Sequence, residues 1–182
     1  MVQAPLQTLT LASFLALPET KPACEFIHGL RVQKPMPQGE HSTLQRELVI
    51  SLTLLFRRSR SAMAYPELRC SFGDRSIVPD IAVFLANRVS RTADGRVENT
   101  FSIAPDWTIE ILSPGQSTTK VVKNILHCLN QGTQMGWLIN LAEQTVFIYC
   151  PLQPVLCFDL PEQRTGCSGI CGGFPVDDRG VI

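Results

Sequence analysis

The chain has 182 residues, enough for one domain with its own core, and its 45% hydrophobic against 18% charged residues exclude a disordered chain. Sixteen basic and sixteen acidic side chains give a formal net charge of zero, which excludes a whole-surface basic field for nucleic acid but not a local basic groove. No apolar run reaches the roughly 18 residues of a transmembrane helix, so no membrane partner is expected. Residues 1–17 lack the basic start and cleavage site of a signal peptide. Cys24, Cys70, Cys128, Cys150 and Cys157 stand isolated among apolar neighbours and read as buried, reduced thiols of a cytoplasmic protein. Cys167 and Cys171, the one close pair, do not complete a zinc spacing.

In chain order, residues 10–17 predict a short helix capped by Thr10 and limited by Pro18. Cys24–Ile27 and Leu30–Gln33 predict two strands joined by a His28-Gly29 turn, after which Lys34-Pro-Met-Pro37 breaks regular structure. Residues 41–58 predict the clearest helix, with Leu44, Leu48, Leu52 and Leu55 at helical spacing and Ser42 with Gln45 as a capping box. Arg57, Arg58 and Arg60 gather at its C-terminal end, where cations are favourable. Strands are expected over 64–72 and 76–85 around a Gly73-Asp74 turn, with Pro79 marking a bulge or an edge. A polar loop follows over 87–99. Trp107, Ile109 and Ile111 alternate with Asp106, Thr108 and Glu110, a strand period. A helix over 117–131 closes at Gly132, with Val121, Val122, Ile125, Leu126 and Leu129 as its buried stripe. Three strands follow over 134–141, 144–150 and 155–160. Beyond Pro161 neither period holds, so the division is a domain over 1–160 and an irregular or disordered tail over 161–182.

Two acids stand out. Glu110 lies inside an apolar, β-rich run, where an unpaired carboxylate costs free energy. Asp80 opens another such run. On neighbouring strands they could hold a divalent cation, and Mg²⁺ suits two carboxylates with waters completing its shell. The plainer alternative is two acids solvated or hydrogen-bonded at strand ends. If they lie close, mutual repulsion raises the pKa of at least one, and Asp80→Asn leaves the metal-free fold at least as stable.

Taken in order, Glu25 by a turn, the helix led by His41, Pro79-Asp80, Glu110-Ile-Leu-Ser113, a helix and the Gly132 to Trp137 segment form a pattern over about residues 10–160. This pattern resembles the Uma-two family of restriction-endonuclease-like proteins in the PD-(D/E)XK nuclease-like superfamily. The resemblance implies an α/β, restriction-endonuclease-like fold: a mixed β-sheet flanked by helices, with Asp80 and Glu110 on adjacent central strands. It implies a metal-dependent endonuclease that hydrolyses phosphodiester bonds in DNA, with Asp80 and Glu110 binding Mg²⁺ or Mn²⁺. A homodimer is expected, since cutting two strands needs two sites.

The chain departs from that pattern at its third catalytic position. Leu112 stands where the superfamily has a lysine, and the family's helix lysine falls on Asn124 when counted back from Gly132. Lys120 lies four residues before Asn124 on the same edge of the helix, and Lys123 lies on the opposite border of the stripe. Lys120 is the first expectation for the catalytic lysine and Lys123 the second. Gln116 is within reach and Glu25 is an accessory acid, while His41 reads as a cap or a packing residue. The alternative function is a catalytically decayed nucleic-acid- or protein-binding module on the same fold. Leu112, Asn124 and the zero net charge favour it; the retained Asp80 and Glu110 oppose it.

Overall fold

In the computed structural model, residues 9–159 are described; the expected tail over 161–182 lies outside them. Helix α1 (Leu11–Leu15) starts at Thr10, whose hydroxyl accepts from the Ser13 N–H at 3.1 Å. Strands β1 (Cys24–Ile27) and β2 (Leu30–Gln33) have the expected bounds and pair antiparallel. Their turn puts His28 at φ 50° and Gly29 at 77°, the left-handed pair that a two-residue hairpin demands.

Helix α2 (Gly39–Arg57) begins two residues before His41, and its cap, Gln38, makes no side-chain capping bond. The Ser42–Gln45 capping box therefore does not form: both residues already lie within the helix. Gln45 Nε2 instead donates to the Asp80 carbonyl at 2.7 Å. The buried face of α2 is His41, Leu48, Leu52 and Phe56.

The two long strands expected next each divide. They become β3 (Ala62–Pro66), β4 (Cys70–Phe72), β5 (Arg75–Ile77) and β6 (Ile81–Leu85). Strands β4 and β5 pair around Gly73 and Asp74, while β3 and β6 pair in a different sheet. One hairpin thus passes from a small sheet into a large one. Its two arms break at the same level. Pro79 has no N–H to give to a ladder, and Glu67 on the other arm takes φ 48° and donates its N–H to the Asp80 carbonyl at 3.2 Å. Asp80 sits at this corner.

The large sheet adds β7 (Trp107–Leu112), β8 (Met135–Asn140), β9 (Thr145–Tyr149) and β10 (Leu156–Asp159), in the order β10–β9–β8–β7–β6–β3. Strands β7 and β8 run parallel, connected through α3 (Thr118–Asn130), and the other pairs are antiparallel, so the sheet is mixed. The small sheet is β2–β1–β5–β4. Alternation in β7 assigns its two faces. Trp107, Ile109 and Ile111 pack with Leu48, Leu52 and Phe56 of α2. The other face carries α3, through Val121 and Ile125 on Leu138, and the small sheet, through Cys70, Phe72 and Ile77 on Ala82 and Phe84. Glu110 belongs to this second face.

The buried stripe of α3 is rotated from expectation. Asn124 and Cys128 are buried with Val121 and Ile125, and Leu126 is exposed. Gly136 allows this close approach, because a Cβ there would collide with Ile125 Cγ2. Cys24, Cys70 and Cys128 are free and buried as expected. Cys157 is exposed on an edge strand and Cys150 is disulfide-bonded, which departs from the expectation of five buried thiols. Among the described residues, no helix is long and apolar enough to cross a membrane.

Candidate active site

The corner between β5 and β6 fixes Asp80 from several elements. Its carbonyl accepts from Gln45 of α2 and from the Glu67 N–H. Its Oδ2 accepts from the Ile111 N–H at 2.7 Å and lies 3.2 Å from His41 Nε2. Its Oδ1 accepts from Lys34 Nζ at 2.7 Å. The register Ile81↔Ile109 continues toward Glu110 opposite Asp80 on the adjacent strand. Lys34 Nζ stands 3.7 Å from Glu110 Oε2 and also donates to the Val78 carbonyl at 2.7 Å. One ammonium therefore serves both acids, and the two carboxylates lie on the same side of the sheet.

Glu25 of β1 completes the cluster. Its Oε1 accepts from the Val78 N–H at 2.9 Å and its Oε2 from Asn124 Nδ2 at 3.2 Å. It ties the small sheet to α3 beneath the two acids. Gln116 lies at the rim, where its Oε1 accepts from the Ser113 N–H at 3.1 Å, just past the end of β7. Lys120 and Lys123 are exposed on α3, and among the described residues neither makes a hydrogen bond or ion pair with the cluster.

Asp80, Glu110 and Glu25 are 3%, 4% and 5% exposed, so desolvation acts on all three. Burial pushes the Asp80 carboxyl up, but the Lys34 charge and the hydrogen bonds from His41, Lys34 and the Ile111 N–H outweigh it and hold the group at about 2. Glu110 goes the other way. Burial raises it well above the carboxylate range; Lys34 offsets this only in part, and the charges of Asp80 and Glu25 add to it. Burial also raises Glu25. For Lys34 burial disfavours the charge, yet the three acids around it win and raise its pKa. The site thus pairs an acid whose carboxyl pKa is lowered, Asp80, with one whose carboxyl pKa stays raised even beside Lys34, Glu110. A buried acid elsewhere makes the contrast plain. Asp106, 1% exposed, is fully committed to structure through the Leu85 N–H and the Arg88 guanidinium.

Sequence reasoning did not find Lys34. It lies in the irregular Lys34-Pro-Met-Pro37 segment, and no spacing connects it to an aspartate 46 residues away. The available signal was a lone lysine held beside prolines directly after a strand, too general to single it out. His41, read as a cap or packing residue, is buried against Asp80, and its Nδ1 has no partner among the described residues. A cleft of about 450 Å³ opens over the cluster, with Lys21, Lys34, Met36, His41, Arg69 and Asp80 among its walls. Among the described residues, no three His, Cys, Asp or Glu side chains form a ready-made metal cage. Of the three cluster acids, Asp80 lines this cleft.

The family model Uma2, described as "Putative restriction endonuclease", matches residues 11–175. The chain belongs to the Uma2 family. A solved structure, described as a "putative nuclease belonging to DUF820" from Anabaena variabilis ATCC 29413, is 58% identical. It superposes with a TM-score of 0.83, over 85% of this chain and 87% of that one. No curated protein matches the chain. The expected restriction-endonuclease-like architecture, a mixed sheet flanked by helices, is the one observed. In this Uma2 chain the helix position that the family resemblance assigns to a lysine, Asn124, reaches the cluster without a charge, and the cation beside the acids comes from Lys34.

Proposed function

We propose that the chain is a metal-dependent endonuclease that hydrolyses phosphodiester bonds in DNA. The observation that carries the reading is the convergence of Asp80, just before β6, and Glu110 of the adjacent β7 on the Lys34 ammonium, with Asp80 and Lys34 lining an open cleft. The family and the related structure, both described as nucleases, support it. The donor set fits Mg²⁺ or Mn²⁺: two hard carboxylate oxygens facing one side, with the open cleft leaving room for water and phosphate. Asp80 and Glu110 would hold the ion, which when bound would lower the pKa of its water and polarise the phosphoryl oxygen.

The chain's own groups account for the rest. His41 and the Ile111 N–H hold Asp80 Oδ2, which leaves Oδ1 to Lys34. Lys34 supplies positive charge at the point where a phosphoryl oxygen gains negative charge. Glu25 and Asn124 fix the floor of the site between β1 and α3. In this reading the role expected of Lys120 or Lys123 passes to Lys34, and the two exposed lysines remain for phosphate contacts outside the cluster. The test is plasmid nicking with and without Mg²⁺ by wild type, Asp80→Asn and Glu110→Gln. Metal-dependent nicking lost in both variants supports the reading. A folded wild type that retains DNA without cutting it favours the decayed binding module.

A further inference from the structure

We infer that Lys34 is the built-in counter-ion of the metal-free site, and that a divalent cation enters by displacing its ammonium from Asp80 Oδ1. The inference rests on the metal-dependent reading above and says which contact must break. Asp80 has two carboxylate oxygens, and Oδ2 is already committed to the Ile111 N–H and His41. That leaves Oδ1, which Lys34 Nζ occupies at 2.7 Å. The same Nζ is 3.7 Å from Glu110 Oε2, so the ammonium fills the place between the acids.

An ion shared by these carboxylates needs bonds of about 2.0–2.1 Å to each. Ammonium and dication cannot both lie there: sterics and like-charge repulsion forbid it. Lys34 can move. It sits outside any strand or helix, its stem is unbranched, and it lines the cleft rather than the closed core. Its side chain is 15% exposed, so a path to the cleft exists. Displacement would carry the ammonium to where a phosphate is bound, so metal entry would also arm the cleft with a cation. A permanent structural salt bridge is the competing account, and it makes opposite predictions.

The experiment uses the full chain without nucleic acid. Mg²⁺ affinity is measured by calorimetry for wild type and Lys34→Met. In parallel, wild type is labelled with an amine-acetylating reagent, with and without saturating Mg²⁺, and read by mass spectrometry, with Lys120 and Lys123 as exposed references. Lys34→Met should bind Mg²⁺ about tenfold more tightly or better, because the competing charge is gone. In wild type, Mg²⁺ should raise Lys34 labelling several-fold relative to the references. Equal or weaker Mg²⁺ binding by a folded Lys34→Met overturns the displacement and leaves the metal reading intact. Lys34 labelling that Mg²⁺ leaves unchanged or lowers does the same, and decides the matter alone if the variant does not fold. Absence of Mg²⁺ binding to wild type overturns the metal reading and this inference together.

Discussion

Replacing Asp80 by asparagine should destabilise the metal-free protein, contrary to what repulsion between two neighbouring acids implies from sequence. The reason is the Lys34 ammonium. Asp80 is already neutralised, and its carboxyl is held at about 2 against an ordinary value of 3.8. A depression of that size corresponds to about 2 kcal/mol of stability. Asparagine forfeits it and leaves a buried ammonium short of its partner, which adds to the loss. For a chain of this length each kcal/mol is worth roughly 2–4 °C, so the melting temperature should fall by about 4–8 °C or more. The sign also fixes the pH dependence. The folded pKa is depressed, so the contribution is complete above the unfolded value near 4 and disappears as pH falls toward 2. The assay is a pair of urea melts in chelator, wild type against Asp80→Asn, at neutral pH and at steps below pH 5. The difference in stability should be largest at neutral pH and shrink in acid. An asparagine variant as stable as wild type without metal would refute the account of Lys34 as a counter-ion.

Glu110→Gln should behave in the opposite sense. Its folded pKa is raised, so the ionised group costs stability once pH rises above the ordinary carboxylate value; metal-free melts at neutral pH should show the variant equal to wild type or more stable, with the Mg²⁺-induced rise in melting temperature lost. Lys120→Ala and Lys123→Ala should retain metal-dependent nicking of plasmid, while Lys34→Ala should lose it by a factor of about 100 or more; the reverse pattern would return the catalytic role to α3. His41→Asn should lower Mg²⁺ affinity measured by calorimetry, because Asp80 Oδ2 loses one of the two contacts that orient it. Gly136→Ala drives a Cβ into Ile125 Cγ2 and should cost about 1–3 kcal/mol in a urea melt, with no effect on Mg²⁺ affinity.

What could be read from the chain follows the range of the forces involved. Strands β1 and β2 are marked by the left-handed His28-Gly29 turn between them and α3 by a helical stripe, and they appear within a residue or two of expectation. The breaks within 64–72 and 76–85 are decided by which sheet each half joins, a long-range matter that Pro79 hinted at and Glu67 did not. The capping box at Ser42 and Gln45 lost to a tertiary use of Gln45. The same divide runs through the site. Glu110 lies in a regular strand, so its burial could be inferred from the apolar residues on either side. Asp80 and Lys34 lie just outside regular elements, where no period constrains them. A carboxylate buried in an apolar run announces in the sequence that it needs a partner, but that partner's identity is settled only when the hairpin turns the corner at Asp80 and meets the segment leaving β2. The family pattern points to α3 for its lysine, whereas the cation beside the acids comes from the irregular segment after β2, which no family position or period marks.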